Sequence, residues 1–182
     1  MSKKAIVIWG CWVGLLAAIS NWLMSLVPTS KNLCNGAGAP WILFVVLAAF
    51  ALSGYKPQDA HKAIGSMLCG TIWGQVDMVL MLVSGFDLVH GFLAITVGTA
   101  LAIIVHLCFF KKCFFSVIPF IFVGVCLTFG TGAHFSANPL GILGLAINLV
   151  SGAVLSVLVI GMELYLVEKM PEKSIGNRKE RP

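Results

Sequence analysis

Asp77 is the residue of this 182-residue chain with the most chemical potential, closing the stretch Gly70-Thr-Ile-Trp-Gly-Gln-Val-Asp within a long apolar run. A carboxylate at bilayer depth costs about 2.5–3.5 kcal/mol on insertion scales, so it must face a bundle interior or a wet cavity. So placed, it can carry a proton, hold a cation or hydrogen-bond a passing solute. The structural alternative is a buried acid tied to Asn148, Asn21 or a backbone group. Gln75 and Trp73 precede it on the same run, and Asn21 and Asn148 sit at similar depth in distant runs. Gln75, Asp77, Asn21 and Asn148 are therefore expected to line one polar cavity between the first, third and sixth apolar segments. Neutral amides with a single acid suit a small polar solute better than a multivalent ion. Trp73 and Trp12 sit deep enough to line or constrict such a path, or simply to fill the bundle.

Other reactive side chains are sparse. His90 and His134 fall towards the outer face, where a ring that titrates near physiological pH could sense external acidity. His106 lies at the opposite end of the His90 segment, and Glu163 stands near the inner end of the last one, within reach of Lys111, Lys112 or Lys169. No nucleophile elbow, paired acids or HExxH stretch suggests an enzyme. The cysteines show no metal-ligand spacing and no cofactor is implied. Only Cys34 of the six cysteines falls in an outer loop, so no disulfide framework is indicated.

The elements that must hold these residues are membrane helices. Hydrophobic residues make up 59% of the chain and charged residues 10%, with a mean hydropathy of +0.98. A soluble domain carries roughly 25% charged residues, whereas lipid removes the need for them. Spans are read at Ala5–Leu26, Trp41–Ser53, Ala63–Ser84, Leu88–Phe109, Phe114–Phe129 and Leu140–Val167. The fold class is an all-α integral membrane protein of six transmembrane helices. Residues 1–168 form one membrane domain, and 169–182 form a charged cytoplasmic tail whose cations can touch anionic lipid. The first span is long enough to remain as an anchor, unlike a cleaved leader. With both termini cytoplasmic, every lysine and arginine except Lys31 falls inside, as the positive-inside rule requires. The same dispersal over loops and tail argues against nucleic acid as a partner. Trp22 and Trp41 fit an outer aromatic belt and Trp9 an inner one.

The halves resemble each other. Pro40 and Pro119, Phe50 and Phe129, and Gly65 and Gly144 share one offset of 79 residues. Three-span units at 5–84 and 88–167 would be inverted, because three is odd, and inverted repeats are a common build of transport proteins. Chance alignment of similar spans is the alternative. Gly10 with Gly14 and Gly70 with Gly74 are GxxxG pairs that let helices approach closely, within the bundle or between copies in a homo-oligomer. The loop Gly130–Pro139, free of formal charge, could dip back into the membrane where protein or water satisfies its backbone.

Two stretches carry a family likeness. Phe115–Gly130, with Pro119, Gly124, Cys126, Thr128 and Phe129, resembles the YcdZ-like family of small bacterial inner-membrane proteins, a domain of unknown function. His61–Trp73, with Lys62, Gly70 and Trp73, is similar to it as well. The resemblance implies a compact multi-pass protein of the bacterial inner membrane, and assigns neither substrate nor functional residues. The function expected is a channel or transporter for a small polar solute such as urea, a short amide, ammonium or a small carboxylate, passive or proton-coupled. The alternatives are a membrane-embedded binding or accessory subunit of a larger transport complex, and a structural membrane protein.

Overall fold

A computed structural model describes residues 1–54, 56–83 and 88–171, without the side chains of residues 88–90, 92 and 94. The described residues are helical, with no strand among them: α1 (Lys3–Leu26), α2 (Ile42–Ser53), α3 (Ala60–Val83), α4 (Leu88–Cys108), α5 (Ile118–Thr131) and α6 (Pro139–Lys169), with short 3-10 turns between. Helices α1, α6 and α3 with its leading turn (Pro57–Val83) are long and apolar enough to cross a membrane. The shorter apolar helices are α2, α5 and the stretch Ile95–Cys108 of α4. Residue 84, the side chain of His90 and residues 172–182 of the charged tail lie outside the described residues.

The ends of these helices follow from local chemistry. Ser2 caps α1 by accepting a hydrogen bond from the Ala5 amide, and Asn138 caps α6 by accepting one from Gly141. Pro119 and Pro139 sit in first turns, where the missing N–H is not needed. Helices α2 and α5 both stop at a left-handed glycine, Gly54 (φ 65°) and Gly132 (φ 66°). At about 1.5 Å per residue, the 12 residues of α2 and the 14 of α5 extend about 18 and 21 Å, short of a bilayer core. Residues 114–117, expected to open the fifth span, lie before α5, because Pro119 dictates where the helix can begin. The segment between α1 and α2 instead folds inwards, burying Ser30, Leu33 and Ala39.

Packing pairs the helices in a regular way. Helix α2 lies on α6 as α5 lies on α3, and α1 rests on α6 as α4 rests on α3. Every buried residue of α2 has a buried counterpart 78 positions later in α5, as with Ile42 and Phe120 or Phe50 and Thr128. Every buried residue of α3 has one in α6 at the same interval, as with Gly70 and Asn148, Gly74 and Gly152, or Asp77 and Leu155. The interval is one residue shorter than the offset seen by pairing prolines, because Pro40 precedes α2 whereas Pro119 is already inside α5. Ser53 and Thr131, also 78 apart, each donate to the carbonyl four residues back.

The centre of the bundle is a cluster including Ile42, Phe50, Met67, Phe120, Leu145 and Leu149, with the Phe50 and Phe120 rings 5.2 Å apart. Glycine decides the closest contact: a Cβ on Gly70 would strike the Ile121 carbonyl oxygen, and one on Gly74 would meet Thr128 at 2.8 Å. Gly10 and Gly14 face open space instead. Ser2 donates its amide to the Met170 carbonyl at 3.1 Å, so the start of α1 and the end of α6 lie together.

Candidate functional site

The described bundle contains a cleft of about 400 Å³ with α3 as its floor and α4 and α5 as its walls. Trp73 and Asp77 line it from α3, Ile95, Thr99, Ala102 and Ile103 from α4, and Ile118, Ile121, Phe122, Val125, Cys126 and Phe129 at α5. Helices α4 and α5 both pack on α3 but scarcely on each other, so the cleft opens sideways, with Ile95 and Cys126 exposed. Helical spacing explains the floor, since residues four apart stack on one face.

Asp77 is only 2% exposed, and its Oδ1 has no hydrogen-bond partner among the described residues. It lies about 8 Å beyond the midpoint of α3, by helical rise. Across from it stands Gly98 of α4, where any Cβ would collide with Asp77 Oδ1. Among the described residues, no lysine, arginine or histidine lines the cleft. A buried carboxylate normally pairs with a donor or cation; this one borders a cavity, while its Oδ1 is packed against Gly98 and unpartnered among the described residues.

A second polar feature ties α3 to α4 further along, and sequence reasoning missed it. Trp73 Nε1 donates to His106 Nε2 at 3.0 Å, and Cys69 Sγ lies 3.5 Å from the same nitrogen. His106 is 1% exposed, packed among the rings of Trp73, Phe110 and Phe115. Since Nε2 accepts from Trp73, the neutral ring carries its proton on Nδ1, which faces Ser116 Oγ at 3.4 Å. Ser116 in turn donates to the Phe110 carbonyl. The signal available in the sequence was Cys69 and Trp73, four apart on α3, with a histidine at the far end of the antiparallel neighbour.

Of the residues expected to share one cavity, the cleft brings together Asp77 and Trp73. Gln75 points elsewhere: its Nε2 donates to the Ala133 carbonyl at 2.6 Å and its Oε1 accepts from the Phe135 amide at 3.0 Å. Asn148 is fully buried, donating to Ser30 Oγ and the Gly144 carbonyl, both at 2.8 Å, with its Oδ1 unpartnered. Asn21 lines a separate cavity of about 400 Å³ between α1 and α2, with Ala17, Ala18, Pro40, Trp41 and Phe44. His134 lies in the α5–α6 loop, its Nδ1 2.7 Å from Ser136 Oγ. The side chain of His90 is not described.

Among the described residues, no group of three or more His, Cys, Asp or Glu side chains could hold a metal ion. The arrangement can hold a small molecule by one charge and a large apolar contact. No curated protein and no solved structure matches the chain. Residues 11–163, which include the whole of the Asp77 cleft, match the family described as "Protein of unknown function (DUF1097)", and the chain belongs to that family.

Proposed function

We propose that this protein is a channel or transporter for a small polar solute, built as six spans in two inverted three-helix halves. The observation that carries the reading is Asp77: a buried carboxylate with an oxygen unpartnered among the described residues, on the floor of a cleft within a helix long enough to cross a membrane. Such a group is costly in lipid and is a functional site by default. The exchange of packing partners between α2–α6 and α5–α3, and the buried positions recurring 78 residues apart, support the repeat. The Trp73–His106 bond across one part of the α3–α4 interface favours a gated path over an open pore.

In this reading the protein sits in a bacterial inner membrane with both ends in the cytoplasm, and works without chemistry on its solute or a bound cofactor. The proximity of Ser2 and Met170 supports both ends lying on one side. Gly10 and Gly14, where an added Cβ would meet nothing within 4 Å among the described residues, are available to a second copy in a homo-oligomer.

The test is solute-driven swelling of proteoliposomes containing the pure protein, across urea, acetamide, ammonium, formate, acetate and glycerol, at pH 5 and 7.5. Selective flux that Asp77→Asn alters is expected. No flux for any solute sinks the autonomous transporter and moves the reading to a binding subunit that needs partners.

A further inference from the structure

Among the described residues the Asp77 carboxylate has no cationic partner, and the rest of its cleft is an apolar surface. Around the carboxylate stand Ile95, Ile103, Ile121, Phe122, Val125 and Phe129. Urea or formate would leave that wall unfilled, and an anion would meet Asp77 with no cation nearby. A hydrocarbon alone would bury the carboxylate unpaired, at a cost of several kcal/mol. The two halves of the cleft are satisfied together by a molecule with one ammonium group and an apolar body.

We propose that the cleft binds a primary alkylamine in its ammonium form, the nitrogen against the Asp77 carboxylate and the alkyl chain between α4 and α5. This rests on reading the Asp77 cleft as the solute site, and names the solute class. A body of about four to eight carbons suits a site of this size, at the small end of ligand pockets. Thr99 on the α4 wall offers a second acceptor for the ammonium. Gly98 lets α4 close on the Asp77 carboxylate, since a Cβ there would collide with Oδ1. Because α4 and α5 hardly touch, the alkyl chain enters sideways from the lipid, without passing along the bundle axis. Among the described residues, the cavity at Asn21 is lined by no acid, and Leu155 stands where the interval of 78 would put a second Asp77, so no second such site stands there.

Cys126 lines the same cleft and serves as the reporter. In lipid nanodiscs, the full chain with the other five cysteines replaced by serine is labelled with N-ethylmaleimide, alone or with hexylamine, 1-hexanol or hexanoate. Hexylamine at about ten times its Kd should slow labelling about tenfold, while hexanol and hexanoate at the same concentration leave it unchanged. Asp77→Asn should weaken the protection by hexylamine about 10- to 100-fold, the worth of a buried hydrogen bond to a charged group. Equal protection by hexanol, or none by any amine, overturns the proposal on the unmutated site. Amine protection without flux in liposomes leaves the amine site standing and removes transport. Urea flux without amine protection does the reverse.

Discussion

Gly70 of α3 and Gly124 of α5 lie backbone to backbone: a Cβ on Gly70 would strike the Ile121 carbonyl oxygen, and one on Gly124 would strike that of Met67. Neither obstacle is a side-chain tip that could swing away. Gly70→Ala and Gly124→Ala should each force α3 and α5 apart and cost about 1–3 kcal/mol, the usual range for overpacking. Gly10→Ala, which meets open space, should change little. Thermal unfolding in mild detergent separates the two classes, and equal melting for Gly70→Ala and Gly10→Ala would refute the contact.

The α3–α4 tie rests on one nitrogen. Trp73→Phe keeps an aromatic ring and removes the N–H that His106 Nε2 accepts. The cost should be about 1–3 kcal/mol, because a buried acceptor loses its strong donor and keeps only the nearby Cys69 thiol. In wild-type protein, ¹⁵N NMR of the histidine should show a neutral ring protonated on Nδ1. A ring protonated on Nε2 would contradict the assigned direction of the chain from Trp73 to Ser116.

Gln75 clamps the loop that follows α5 from both sides, through Ala133 and Phe135. Gln75→Leu should cost about 1–3 kcal/mol for the two bonds and speed hydrogen exchange of the Phe135 amide. Binding at the Asp77 cleft should be untouched, because Gln75 is not among its lining residues. A mutant that lost solute binding while the loop stayed protected would return Gln75 to the path.

Asn148 holds the buried turn between α1 and α2 through Ser30. Asn148→Ala should leave the Ser30 hydroxyl and a small void behind, lowering stability by about 2–4 kcal/mol. Ser30→Ala, which strands only one amide proton, should cost less. A chemical-denaturation series on both variants and the double mutant checks the ordering, and strictly additive losses would mean the two groups do not interact.

Much of the helical layout was legible because lipid makes composition and span length so constraining. The glycine contact between Gly70 and Gly124 was half visible, since GxxxG marks one surface without naming the other. Asp77 and Trp73 were found together because their shared face is a property of one helix. Gln75 and Asn148 were read as path residues on depth alone, and depth does not say which way a side chain points. Their partners, Ala133 and Phe135 for one and Ser30 for the other, come from distant loops that only tertiary packing brings near. His106 was invisible for the same reason: Trp73 and Cys69 of α3 and Ser116 of the loop before α5 give it meaning, and the two on α3 lie 33 and 37 residues away.

Ser2 and Met170 share a backbone hydrogen bond, which makes the two ends of the described bundle neighbours in space. A short peptide joining Ser2 to Met170 would close the described bundle into a ring without pulling on either helix. The described bundle is therefore a natural candidate for circular permutation, with new ends cut in an exposed turn such as that at Gly132. Reporters fused to the two ends should also give the same reading of sidedness.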